Sequence, residues 1–347
     1  MSNRYTEEKR GGSRELALIG LGVLAALCVG LVRSSRAAQP ASFDPVPRVS
    51  YWAADRDGDH VFGLDAELLL RTKKRVQRPL RVAGRVDGGA WILHAMGSRT
   101  EPHGLLRIDE WGVTQAATSL AESLDLVTWR GRDALVIERG TGAGGVDRVL
   151  RFAAGGRETR LFEGPGLRCL GVQGERLLVG DAQGGVTVLL PDKGEARPRV
   201  VPCGEAAVAS LVAVSATDRD AGWWLLLDDF AGTLARLGPD LRPLWSTATR
   251  VNASGLVASL TGDGVWLADE TRPVVCRYGE RGRLRFQRDV SLAGLARGVA
   301  LAEGGVLFTA PGALLRFDEH GQAQPGQGGF QFLVDVTAVP ARAEPDG

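Results

Sequence analysis

From residue 48 onward, the chain alternates short apolar runs with turns that are rich in Gly and Asp. One pattern recurs seven times: an apolar residue, a second residue that is usually Arg, another apolar residue, and then a turn. Its copies end at Asp65, Asp109, Ala153, Pro191, Gly238, Gly279 and Asp318, with spacings of 44, 44, 38, 47, 41 and 39 residues. A period of about 40–45 residues is typical of propeller blades. The long stretches of 3.6-residue periodicity that helical repeats of this length need are absent.

Each repeat contains three more apolar runs. A second run comes about ten residues before the recurring pattern, as in Trp91–Leu93 and Val265–Leu267. A third run precedes the second, as in Gly298–Leu301, and a fourth follows the pattern, as in Leu284–Phe286. Gly and Asp pairs between short apolar runs are typical of hairpin turns. Each repeat is therefore predicted to be four antiparallel strands, which is one blade.

The two ends of the repeat region each carry an incomplete unit. Residues 48–76 contain only the last three strands of a blade, and residues 330–339 form a lone alternating strand. Pairing the lone strand with the first unit would close the ring and remove the exposed sheet edges. We therefore expect an all-β propeller of about seven four-stranded blades over residues 48–340, with six or eight blades as the alternatives.

Two segments resemble a known repeat. Val265–Tyr278 is similar to an NHL repeat, in which an apolar strand ending in Ala-Asp is followed by a polar turn and a second apolar strand, and Tyr51–Asp65 fits the same frame. The usual Asn-His-Arg turn is missing. The resemblance implies a propeller fold and says little about function, because propellers host unrelated activities.

An apolar segment precedes the repeats. Leu16–Val32 holds seventeen residues without a charge, which is at the short limit for a membrane-spanning helix. A cleaved signal peptide and a lipoprotein modified at Cys28 are the alternatives, but arginines flank the cleavage region and Leu27 departs from the lipobox pattern. We favour an uncleaved single-pass anchor in the cell membrane. The boundaries are then a cytoplasmic tail (1–15), the anchor (16–32), a linker (33–47), the extracytoplasmic propeller (48–340) and a disordered tail (341–347).

Composition narrows the range of partners. The formal net charge is +1, so no bulk attraction to nucleic acid is expected. The four cysteines show no metal-binding spacing, although one disulfide among Cys169, Cys203 and Cys276 stays an open alternative. No nucleophilic triad can be assembled from the spacing of the four histidines.

One turn is densely acidic. Asp55, Asp57 and Asp59 alternate within five residues, a pattern that could place carboxylate oxygens around Ca²⁺. The Glu that an EF-hand needs at its twelfth position is replaced by Ala66. A polar turn between two strands is the simpler interpretation, so these three residues are weak metal candidates and no other cofactor is expected.

These features favour one of three functions over the others. The anchor, the repeats and the lack of a catalytic set favour a non-enzymatic, protein-binding or scaffolding module that uses one face of the propeller. A metal-dependent, lactonase-like hydrolase would hold its metal at the central opening, but inner strands such as Leu80–Ala83 read as apolar. A quinone-dependent dehydrogenase would need a Trp near the end of most blades, and only Trp245 fits.

Overall fold

The structure, a computed structural model, describes residues 48–97, 102–140, 145–193, 195–199, 206–214 and 222–341, with backbone alone at 195–199 and 253–254. The predicted cytoplasmic tail, membrane anchor and linker lie outside the described residues, as does nearly all of the predicted C-terminal tail. No helix within the described ranges is long and apolar enough to cross a membrane.

The described residues form seven antiparallel sheets of four strands each. With the innermost strand first, blade 1 is β28 (Leu333–Ala338), β1 (Tyr51–Asp55), β2 (His60–Leu64) and β3 (Leu70–Arg75). Blade 2 is β4 (Pro79–Gly84), β5 (Ala90–Ala95), β6 (His103–Ile108) and β7 (Thr114–Leu120). Blade 3 is β8 (Ser123–Trp129), β9 (Asp133–Glu138), β10 (Asp147–Phe152) and β11 (Glu158–Gly164). Blade 4 is β12 (Leu167–Gln173), β13 (Arg176–Asp181), β14 (Val186–Leu190) and β15 (Glu195–Arg199).

The remaining blades follow the same order. Blade 5 is β16 (Val208–Ala213), β17 (Trp223–Leu227), β18 (Thr233–Leu237) and β19 (Pro243–Ala248). Blade 6 is β20 (Ala253–Ala258), β21 (Gly264–Asp269), β22 (Val274–Gly279) and β23 (Leu284–Asp289). Blade 7 is β24 (Gly298–Ala300), β25 (Val306–Ala310), β26 (Ala313–Phe317) and β27 (Ala323–Gly328). The prediction of seven four-stranded blades is confirmed.

The ring closes within blade 1. The C-terminal strand β28 pairs antiparallel with β1, from Tyr51 opposite Ala338 to Asp55 opposite Leu333. Leu333 and Val336 of β28 pack in one apolar cluster with Tyr51 and Leu64. The first blade is therefore built from both ends of the repeat region, as the incomplete terminal units predicted.

Tryptophans on the second strand of four blades pack between blades. Trp52, Trp91, Trp224 and Trp266 are at most 2% exposed. Trp91 clusters with the buried side chains of blade 3, and its indole nitrogen donates a hydrogen bond to the carbonyl of Arg132 in that blade at 2.8 Å. In these four blades a large aromatic side chain thus fills the gap to the next sheet.

The recurring Arg of the sequence pattern reinforces this packing. Arg277 lies directly opposite Trp266 on the neighbouring strand, with its guanidinium 5.1 Å from the ring centroid. Arg236 covers Trp224 in the same way at 5.3 Å. A cation over a tryptophan face is attracted by the ring quadrupole. The cross-strand Trp–Arg pair is therefore a structural feature of these blades and needs no ligand to explain it.

The propeller has two faces, which are named here by the turns that form them. The β2–β3 face carries the turn between β2 and β3, its equivalents in the other blades, and the turns between the first and second strands. The β1–β2 face carries the turn between β1 and β2, its equivalents, and the connections between blades. The chain enters at the β2–β3 face, where the Ser50 amide donates to the carbonyl of Leu64 at 2.7 Å.

Candidate functional site

The predicted metal residues lie together in the turn between β1 and β2. Asp55 is 2% exposed, and its carboxylate accepts hydrogen bonds from the backbone amides of Gly58, Gln331 and Phe332. The last two bonds, at 2.9 and 2.7 Å, attach the C-terminal segment to the first strand. Asp55 therefore caps its turn and helps to close the ring.

The other two carboxylates are engaged elsewhere. Asp57 pairs with Arg56 at 2.8 Å, and this hydrogen bond lowers the pKa of Asp57. Asp59 accepts a hydrogen bond from the backbone amide of Arg78 at 2.8 Å. Among the described residues, no group of three or more His, Cys, Asp or Glu side chains is placed to hold a metal ion. That these three residues are only weak metal candidates, with no tight Ca²⁺ site, stays a prediction.

A cavity lies on the propeller axis. It has a volume of about 410 Å³ and is lined by residues from all seven inner strands or the positions next to them. A cavity of this size falls within the range of small-molecule sites in proteins. The axis is therefore the first place to look for a binding site.

One residue from each blade occupies an equivalent register position on or beside the inner strand, and five of these seven residues line the cavity. In six blades a β-bulge interrupts the pairing of the inner strand with the second strand, and the residue beside the bulge occupies that position. In blade 7 the equivalent carbonyl accepts a hydrogen bond from Thr309 at 2.9 Å. In ring order from blade 1, these seven residues, here called the inner ring, are Asp335, Arg81, Asp125, Cys169, Ser210, Gly255 and Arg297.

The inner ring is charged on one side. Arg297, Asp335, Arg81 and Asp125 come from blades 7, 1, 2 and 3, and their charges alternate in sign around the axis. Asp125 is 1% exposed and lies 3.3 Å from Arg297 and 3.7 Å from Arg81 through the same carboxylate oxygen. The expectation that the inner strands are almost wholly apolar is therefore wrong, because each of these charges finds an opposite charge or a backbone amide in a neighbouring blade.

The two carboxylates have their hydrogen bonds largely filled by backbone. Asp335 accepts from the amides of Val82 at 2.9 Å and Val336 at 3.0 Å. Asp125 accepts from the amide of Leu170 at 2.9 Å through its second oxygen. Val82 and Leu170 belong to the inner strands of the next blades, whose edges face the cavity. The aspartates thus satisfy buried donors that have no strand partner there.

The charges also affect one another. Burial raises the pKa of Asp335, against the lowering effect of Arg81 and Arg297. The positive charge of Arg297, followed by burial, lowers the pKa of Arg81. Burial opposes the charge on Arg297, but Asp125 and Asp335 together hold the pKa of Arg297 above its ordinary value. The ring holds two arginines and two aspartates, and its two guanidinium groups repel each other.

The sequence did contain a signal for this ring. In three repeats a charged residue stands between two apolar residues of the inner strand, as in Leu80-Arg81-Val82, Leu124-Asp125-Leu126 and Val334-Asp335-Val336. Aligning the inner strands column by column would have revealed it.

The described cysteines are buried thiols. Cys169 belongs to the inner ring, Cys276 lies on β22, and neither forms a disulfide. Burial raises the pKa of Cys276 to about 11 and raises that of Cys169 further. Both are therefore protonated and unreactive at neutral pH.

A second feature lies on the outside of blades 1 and 2, at the β2–β3 face. Four large apolar residues there are 52–56% exposed, and they are named here the rim patch: Leu69, Leu70, Trp111 and Val113. The two parts of the patch adjoin, because Thr72 of β3 donates a hydrogen bond to the carbonyl of Trp111 at 3.0 Å. Leu70 and Thr72 share one side of β3, as residues two apart on a strand do.

Comparison with known proteins supports the fold and assigns no function. No family model matches the chain, and no curated protein matches it. Among solved structures, a functionally unknown protein from Desulfotomaculum acetoxidans matches with a TM-score of 0.67 at 12% identity, covering 84% of this chain and 99% of that one. BamB from Moraxella catarrhalis matches with a TM-score of 0.54 at 17% identity, covering 85% and 87%.

A third match is a chain of the nidogen/laminin complex. Its TM-score is 0.50 at 11% identity, covering 85% of this chain and all of the other. At these identities the matches show a shared fold alone. The resemblance inferred from the sequence is thereby confirmed at the level of the fold: the chain contains a seven-bladed β-propeller.

Proposed function

We propose that this protein is a membrane-anchored, extracytoplasmic propeller that binds a protein partner through the rim patch. The observation that carries the proposal is the exposure of Trp111, 54%, beside three other exposed apolar side chains in adjoining turns. Contiguous apolar surface costs free energy in water, and on soluble proteins it commonly marks an interaction site. Tryptophan is also enriched among the residues that dominate binding energy at interfaces.

Charge on the adjacent strand indicates the chemistry of the partner. The strand β3 reads Leu-Arg-Thr-Lys-Lys-Arg from Leu70 to Arg75. Arg71 is paired with Asp65, but within the described residues Lys73, Lys74 and Arg75 have no salt bridge. A partner segment that combines apolar and acidic side chains would therefore complement both the rim patch and β3.

The similarity to a chain from the nidogen/laminin complex is consistent with a propeller that binds protein. Membrane attachment through residues 16–32 is the second part of the proposal, and it rests on the uncharged segment of the sequence. No observation of the described channel favours the lactonase-like hydrolase.

Site-specific photocrosslinking in the full-length, membrane-integrated protein tests the partner. A photoreactive phenylalanine analogue is placed at Trp111 or, as the matched control, at Phe230. Phe230 is fully exposed (108%) but lies on the β1–β2 face. We expect a discrete crosslinked protein from position 111 and none from position 230. Equal crosslinking from both positions, or from neither, would refute binding at the rim patch.

A substitution adds an independent measurement. Trp111→Ala should abolish co-purification of the partner found at position 111, while Phe230→Ala should not change it. Both side chains are exposed, so neither change should alter folding by more than about 0.5 kcal/mol.

The anchor is tested separately. An uncleaved span predicts a mature protein that keeps Met1 or Ser2 and stays in the membrane pellet after carbonate extraction. Mass spectrometry that finds a mature N-terminus near Ala38 would replace the anchor by a cleaved signal peptide.

A further inference from the structure

Aromatic rings fill the gaps that follow blades 5 and 6. Between blades 5 and 6, Trp224 lies opposite Arg236 and meets Trp245 of the fourth strand edge to face, with ring centroids 5.5 Å apart. Between blades 6 and 7, Trp266 and Phe286 make the same contact at 5.4 Å. Each gap therefore holds two aromatic rings and the guanidinium that covers the tryptophan.

Blade 4 has no aromatic residue with which to fill the gap to blade 5. Residues 167–199 contain no Phe, Trp or Tyr. Leu178 of β13 stands at the position of the tryptophan, because it pairs in the same register with the inner and third strands of its blade. Val188 lies opposite it in place of the arginine, and the fourth strand has Arg197 where the neighbouring blades have an aromatic residue.

A cavity of about 300 Å³ lies in the outer part of this gap, at the β2–β3 face. Its apolar lining includes Leu178, Val188 and Leu190 of blade 4, with Leu241 of blade 5 on the other side. Trp223 of blade 5 packs in the same cluster as Leu178 and Leu241, but it fills the inner part of the gap, next to the inner strand. A cavity of this volume is at the lower end of the range for small-molecule sites.

An arginine borders the cavity. Arg176 lines it and lies two residues before Leu178, on the same side of β13. The guanidinium of Arg176 donates a hydrogen bond to the carbonyl of Pro239 in blade 5 at 2.8 Å. Arg277 donates to the equivalent carbonyl of blade 7, that of Glu319, while it covers the tryptophan of its own blade. The cavity beside blade 4 therefore has the guanidinium of its counterparts without their aromatic rings.

We propose that the cavity between blades 4 and 5 binds a small, neutral aromatic compound, whose ring packs against the leucine and valine side chains and lies beside the guanidinium of Arg176. Burial of the ring removes apolar surface from water, and a guanidinium is attracted to an aromatic face. The charged residues of the lining are one cation and one anion, Arg176 and Asp240, which favours a neutral compound. The site is separate from the rim patch, which lies on blades 1 and 2.

Isothermal titration calorimetry on the full-length chain in a non-ionic detergent tests the proposal without any substitution. The probes are N-acetylphenylalaninamide and its saturated counterpart N-acetylcyclohexylalaninamide, and the heat of titration into detergent alone is subtracted. We expect the aromatic amide to bind at least about twofold more tightly, because only a flat ring has a π face for the guanidinium. No binding of the aromatic amide at tens of millimolar, or equal or tighter binding of the saturated one, would overturn the proposal.

Substitution locates the site. Leu178→Trp should abolish binding of the aromatic amide, because it supplies the indole that fills the counterparts of this cavity. Unchanged affinity in a folded Leu178→Trp protein would place the ligand elsewhere and refute the proposal.

A second pair of variants does not depend on how that protein folds. Arg176→Gln should weaken binding by about two- to fivefold, because it removes the cation beside the ring. The control is Arg168→Gln, which changes an exposed arginine of the same blade that does not line the cavity and should leave the affinity unchanged. Equal affinities of these two variants for the aromatic amide would contradict the proposed contact.

Discussion

Deletion of residues 330–347 tests how the ring is closed. The truncated chain lacks β28, and with it Leu333 and Val336, which are 0% and 3% exposed. Burying such a side chain contributes about 1.5–3 kcal/mol, so the pair represents about 3–6 kcal/mol. The deletion also removes both amides of the C-terminal segment that bind Asp55 and the whole backbone ladder to β1.

This loss is comparable with the net stability of a folded domain, which is about 5–15 kcal/mol. We therefore expect the truncated protein to unfold or to aggregate through its two exposed strand edges. A milder test is Leu333→Ala, which should lower the free energy of unfolding by about 2–5 kcal/mol. Its control is Leu284→Ala on the outer strand β23, where the side chain is 48% exposed and the cost should stay within about 0.5 kcal/mol.

Guanidinium denaturation of the full-length variants, followed by tryptophan fluorescence, measures these differences, because indoles are buried between several blades. Aggregation is followed by light scattering. A truncated protein that unfolds at the same denaturant concentration as the intact chain would show that β28 contributes nothing to the ring. Equal effects of Leu333→Ala and Leu284→Ala would refute the burial argument.

Three further outcomes are expected. Burial alone would raise the pKa of Asp263, but hydrogen bonds from Thr261, Arg285 and Ser259 hold this pKa below its usual value of 3.8. The ionised carboxylate therefore stabilises the fold above that pH. This contribution is lost as the pH falls through the depressed pKa. Asp263→Asn should therefore lower the free energy of unfolding at pH 7, and progressively less below pH 3.8, when denaturation curves of the variant and the unchanged protein are measured side by side. A difference in unfolding free energy that does not change with pH would contradict this. In a chain whose other two cysteines are replaced by serine, Cys169 and Cys276 should not react with a thiol reagent at pH 8 until denaturant is added, and rapid labelling of the native protein would disprove their burial. Calorimetric titration with Ca²⁺ should show no binding tighter than the millimolar range, and micromolar binding that Asp57→Ala abolishes would establish a metal site in the turn between β1 and β2.

The blades follow from local sequence. A half-buried strand requires apolar and polar residues to alternate over five or six positions, and a hairpin requires Gly or Asp at its turn. Both are properties of neighbouring residues, so the seven copies of the Arg pattern are enough to place β2 and its equivalents. The incomplete units at 48–76 and 330–339 even fixed how the ring closes, because an unpaired strand edge is costly.

The metal candidates show what the sequence alone does not predict. Three alternating carboxylates predict either a cation site or a polar turn, and the choice depends on which donors approach them. The amides of Gln331 and Phe332 reach Asp55 from the far end of the chain. A sequence window of five residues contains no information on such partners.

The sequence by itself determined the repeat and the pairing of the two ends, and it favoured seven blades over six or eight, because these depend on periodicity and on the cost of open sheet edges. The tertiary structure alone decided where the charges lie. Arg81, Asp125, Arg297 and Asp335 are up to 254 residues apart, and Arg81 stands in a run that reads as apolar. In six blades a bulge at the same point of the inner strand sets which side chain takes this position, and neighbouring blades supply the counter-charges. Whether a buried charge is tolerated depends on those partners, which meet only once all seven blades are in place.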